Sequence, residues 1–144
     1  MLDQAVHSYV QLSDLLGMFE DSDRSEAMRT KAFRAALNVE GAIYKDWCWG
    51  ILESLEMIRA EDPSLYERYA AEFVQSSSHR VSLMQMIPKT LRGIEKMGTD
   101  QIRLFSDVLN YLVQSPLTSE SDKDKLVGGM RKMNAHVEFV DSVV

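Results

Sequence analysis

The sequence predicts an all-α fold: a single helical domain over residues 1–144, built as a bundle of five or six helices around a long central helix at about 23–60. Three observations lead there. Apolar residues recur at steps of three and four along nearly the whole chain, whereas no stretch alternates with the period of two that a half-buried strand needs. The stretch from Ser22 to Glu61 contains no proline and carries one unbroken apolar row. Helix breakers then fall between the remaining periodic stretches, at Asp62-Pro63, Ser76-Ser77-Ser78, Pro88, Gly98 and Ser115-Pro116.

The first helix is expected from Asp3 to Glu20. Leu2, Ala5, Tyr9, Leu12, Leu16 and Phe19 share one face, and Asp3 is placed to cap the first turn. It should end in Glu20-Asp21-Ser22-Asp23, where short polar side chains compete for backbone hydrogen bonds. Ser22 or Asp23 is expected to start the central helix, with Glu26 completing a capping box three residues after Asp23.

The central row runs Met28, Ala32, Ala36, Val39, Ile43, Trp47, Ile51, Leu55 and Ile58. A second row beside it, Phe33, Leu37, Tyr44, Cys48 and Leu52, makes the apolar face wide enough to pack against several partners. Glu40 projects close to the middle of this face and is read as a buried polar anchor, since burying it is costly unless it is paired. Trp49 falls instead in the polar row with Lys45, Glu53 and Glu56, where an indole either covers a loop or meets a partner. Gly41, following Asn38, is a place for a kink or break.

Asp62 capping a helix that opens on Pro63 is a start signal for a helix to about Gln75, with Leu65, Tyr66, Tyr69, Ala70, Phe73 and Val74 inward. Val81, Met84 and Ile87 hold the same phase beyond the serine run, so residues 63–97 read as one bent helix or as two. Pro88 should kink or restart the helix, with Gly98 closing it. A further helix is expected from Asp100 to Gln114, with Ile102, Phe105, Val108, Leu109 and Leu112 inward. The last helix, after the polar run Thr118 to Asp124, carries the stripe Leu126, Met130, Met133, Val137, Val140 and Val144. Gly128-Gly129 within it implies either a close helix–helix approach or a helix that begins at Met130.

Composition narrows the function classes. A 45% hydrophobic content in 144 residues is enough for a packed core. The formal net charge of -6 weighs against binding nucleic acid through phosphate neutralisation, and the expected partner is another protein. Cys48 alone excludes an internal disulfide and any zinc site built on paired cysteines. Met1 to Gln4 lack a basic region followed by an apolar run, and no stretch approaches the ~18 apolar residues of a membrane span. A cytoplasmic protein that does not engage membranes is expected. His7, His79 and His136 lie far apart, none at a Glu-x-x-His spacing, so no metal and no cofactor is expected, and His79 is read as a surface residue.

These exclusions leave a non-catalytic protein that works by protein–protein binding, as an adaptor, chaperone, or inhibitor of a larger machine, with acidic mimicry as a special case of the last. Its partner-binding residues are expected to be Trp49, Lys45 and Glu53 on the central helix, and Met130, Met133 and Val137 on the final stripe, which is also the expected homodimer contact.

The alternative is an enzyme. Arg131-Lys132-Met133-Asn134-Ala135-His136 has the Arg-x4-His spacing and resembles the Arg-x4-6-His signature of HEPN-domain ribonucleases, which are all-helical domains of about this size. The resemblance implies catalytic roles for Arg131 and His136 at a dimer cleft. Lys132 stands where that signature commonly has asparagine.

Overall fold

The structure is a computed structural model that describes residues 2–39 and 45–143, and of residues 2–9, 45–47 and 77 the backbone alone. Among the described residues it contains seven α-helices and no strand: α1 (Leu2–Glu20), α2 (Glu26–Leu37), α3 (Lys45–Glu61), α4 (Pro63–Gln75), α5 (Ser77–Arg92), α6 (Thr99–Gln114) and α7 (Glu120–Val143). A 3-10 turn over Ile94–Lys96 joins α5 to α6. The all-α fold is therefore the observed one. The chain divides into two compact units, Met1–Tyr69 and Ala70–Val144, each with its own buried side chains.

In the first unit the long central helix is replaced by two. The backbone leaves α2 at Asn38, whose N–H turns back to the Ala35 carbonyl at 3.1 Å as the Val39 N–H reaches that of Ala36 at 3.2 Å, while the Asn38 side chain donates to the Arg34 carbonyl at 3.0 Å. Asparagine competes with the helix ladder in this way, and the apolar row on either side gives no sign of it. The start is also displaced: Ser25, not Ser22 or Asp23, is the N-cap, its Oγ accepting from the Met28 N–H at 3.2 Å. Met28, expected inward, is exposed, whereas Ala32, Ala36, Val39, Ile51, Leu55 and Ile58 are buried as their spacing requires. Glu40, Ile43 and Tyr44 lie outside the described residues.

Three rings form the centre of this unit. Phe19 and Phe33 meet at 4.6 Å between centroids, and Tyr69 stands edge-on to Phe19 at 4.8 Å, with all three fully buried. Such edge and tilted contacts set the positive ring edge against the negative face. The Tyr69 hydroxyl escapes desolvation by pairing with Thr30 Oγ1 at 2.6 Å. Arg29, 5% exposed, donates from Nε to the Phe19 carbonyl at 2.8 Å, and its two Nη atoms reach the Glu61 carboxylate at 3.3 Å each. The last carbonyls of a helix have no partner within it and carry partial negative charge. Since α1 has no basic residue in its last turn, Arg29 supplies that cation from α2.

Asp62 caps α4 as its sequence implies, its Oδ1 accepting from the N–H groups of Ser64 and Leu65 at 3.0 and 3.3 Å. Helix then stops at Gln75 and restarts after Ser76, so residues 63–97 form two helices followed by the 3-10 turn. Pro88 lies exposed inside α5 and does not restart it. The restart breaks the phase that α4 sets. Leu83, Met86 and Ile87 point inward on α5, while Val81 is exposed and Met84 half-buried, and His79 is carried from the expected surface to 1% exposure. Its Nδ1 lies 3.0 Å from Ser76 Oγ and its ring stands edge-on to Phe73 at 5.0 Å.

The second unit is centred on the packing of α6 against α7. Ile102, Phe105, Val108, Leu109 and Leu112 are buried as expected, and so are Leu126, Met133 and Val137 on α7. The polar run is helical from Glu120 on: Ser119 Oγ accepts from the Asp122 N–H at 3.2 Å, and Glu120 and Asp122 occupy the first turn, where the helix dipole favours acids. Of the two readings of Gly128-Gly129, close approach is the observed one. A Cβ at Gly129 would sit 2.7 Å from Ile87 Cγ2, whereas one at Gly128 would meet nothing within 4 Å.

Candidate functional site

Two grooves, one in each unit, hold Trp49, Glu53, Met130 and Arg131 of the residues that the sequence singles out. The first runs between α1 and α3, which pack on each other. Its α1 wall is Leu12, Ser13, Leu16, Gly17 and Glu20; its α3 wall is Trp49, Gly50, Glu53, Ser54 and Met57; its volume is about 500 Å³. Trp49, Glu53 and Met57 are spaced by four, which places them along one line of α3. The tryptophan is half-buried, Glu53 is exposed, and Met57 is 57% exposed.

Two glycines in the walls leave room along this groove. A side chain added at Gly17 would meet no atom within 4 Å, and one at Gly50 would meet only Leu16 Cδ1 at 4.0 Å. Among the described residues no lysine or arginine lines the walls. Ser54 Oγ donates to Glu20 Oε1 at 2.5 Å, and among the described residues neither Glu20 nor Glu53 takes part in an ion pair.

The second groove, about 420 Å³, lies between α6 and α7 and is lined by Asn110, Val113, Val127, Met130, Arg131, Asn134, Ala135 and Glu138. Met130 and Arg131 are here, but His136 is not among the lining residues. Helix α7 runs unbroken through both positions, and residues five apart on a regular helix diverge by ~140°. Within one chain the two side chains do not converge. Asn134 is held by Ser106, whose Oγ donates to Asn134 Oδ1 at 3.2 Å.

The sequence-derived set is thus dispersed. Trp49 and Glu53 share the α1–α3 groove, and Met130 lies in the other. Met133 and Val137 are buried within the second unit, so their apolar surface is already covered. The side chain of Lys45 lies outside the described residues. Met57, Gly17, Gly50 and Glu20 are the residues that sequence reasoning missed. Met57 was findable as the next step of four after Trp49 and Glu53, but Gly17 and Glu20 join the site only through the packing of α1 on α3.

Among the described residues no group of three or more histidines, cysteines or acids is placed to hold a metal ion, and no helix is long and apolar enough to cross a membrane. Comparison of the chain with protein-family models, curated proteins and solved structures finds no match.

Proposed function

We propose that this is a non-catalytic binding protein, an adaptor, chaperone or inhibitor of the cytoplasm, that receives a segment of another protein in the groove between α1 and α3. One observation carries the reading: Trp49 and the exposed Met57 line a cleft in which Gly17 and Gly50 leave space beside them. Tryptophan and methionine are enriched in the buried parts of protein interfaces, and methionine adapts its shape to what it meets. Two helices with a cleft between them suit a third helix, laid in by its apolar face.

Site-specific photo-cross-linking in the native host tests this. A photoreactive side chain at Met57 should give a discrete adduct with one protein, and the same group at the exposed Phe139 of α7 should not. The adduct should disappear when Gly17→Met fills the cleft, a change that meets no neighbouring atom at its Cβ. Adducts from position 139 but not from 57, or adducts at 57 that survive Gly17→Met, would remove the groove from the function.

A further inference from the structure

We infer that the segment received in the α1–α3 groove is a short amphipathic helix bearing lysine or arginine beside its apolar stripe. The inference rests on the groove reading above and adds the chemistry of the occupant. It follows from charge. Glu20 on α1 and Glu53 on α3 both line the cleft, and Asp14, three residues before Gly17, is exposed on α1. Among the described residues no cation lines the groove and neither glutamate is neutralised by an ion pair.

An occupant of the same sign would meet both carboxylates, whereas a cationic one pairs with them as it excludes water from Trp49 and Met57. Dimensions limit its length. The α1 wall runs from Leu12 to Glu20 and the α3 wall from Trp49 to Met57, each spanning about 12 Å at 1.5 Å per residue. That length accepts two to three helical turns, with apolar anchors at i, i+3 or i+4, and i+7.

The probes are two labelled synthetic peptides of the same leucine-striped helix, one with lysines beside the stripe and one with glutamates in their place. Fluorescence anisotropy against the full-length protein should show the lysine peptide binding and the glutamate peptide at least about tenfold weaker. The difference should shrink as salt rises. Replacing Glu20→Gln and Glu53→Gln together keeps an acceptor for Ser54 and should weaken the lysine peptide about tenfold, the expected sum for two exposed pairs. The variant's circular dichroism should match the wild type.

Equal binding of both peptides, each blocked by Gly17→Met, would overturn the basic partner and leave the groove standing. Binding that Gly17→Met does not block, or no binding by either peptide, would overturn both readings.

Discussion

Gly129 and Ile87 set the distance between α7 and α5: a methyl group at position 129 would come within 2.7 Å of Ile87 Cγ2. Isoleucine is branched at Cβ and has little freedom to swing aside, and this one is buried. Gly129→Ala should therefore destabilise the protein by about 1–3 kcal/mol through overpacking, despite the gain in helix propensity. Gly128→Ala, one residue away and facing open space, should stabilise it by up to about 1 kcal/mol. Urea denaturation of both checks the contrast. In an Ile87→Ala background the sign at position 129 should reverse, and a reversal that does not occur would mean the helices approach elsewhere.

Arg29 and Glu61 form an unequal pair. The guanidinium side chain is buried, while the carboxylate keeps 39% of its surface in water. Removing the buried member also strips the Phe19 carbonyl of its donor, so Arg29→Ala should cost about 3 kcal/mol. Glu61→Gln should cost about 1 kcal/mol. Arg29→Lys should recover little, because an ammonium cannot hold a helix-end carbonyl and both carboxylate oxygens in one plane. Thermal melts of the three variants test the order, and equal losses for Arg29→Ala and Glu61→Gln would contradict it.

The buried hydroxyl of Thr90, 3% exposed, has no hydrogen-bond partner among the described residues. Valine has nearly the same shape without the polar atom. Thr90→Val should accordingly stabilise the protein by about 1 kcal/mol, read as a rise in Tm.

What the sequence conveyed was most of the inward face of the regular helices, Met28 on α2 excepted. Ile102 to Leu112 and Ile51 to Ile58 are buried as their spacing demanded, and the Asp62-Pro63 start is where its chemistry put it. What it hid were events of one or two residues. Asn38 ended a helix in the middle of a continuous apolar row, and Ser76 reset the phase so that Val81 faced water and His79 did not. Both depend on local backbone bonds that compete with the helix by small margins, which a period of three and four does not record. The candidate groove was half legible for a different reason. Trp49 and Glu53 stood out on α3, but their opposite wall belongs to α1, and no local pattern announces which helices will pack.

Arg131 and His136 provide a chemical test of the enzyme alternative. Since the two side chains diverge on a continuous α7, the purified protein should leave single-stranded RNA intact. Arg131→Ala, at an exposed position, should change stability by no more than about 0.5 kcal/mol. Cleavage by the wild type that is lost in both single alanine variants would make the pair catalytic.

The place of Arg29 in the first unit also bears on how long the folded state lasts. Its partners lie 10 residues before it and 32 after it in the chain, so both contacts exist only once the ends of α1 and α3 have been brought to α2. The Phe19 carbonyl comes within reach as the rings of Phe19 and Phe33 meet, whereas the Glu61 arm closes a longer stretch of chain and costs more loop entropy to form. Glu61→Gln should therefore act mainly on the rate of unfolding and little on that of folding, which a chevron plot of the variant reads.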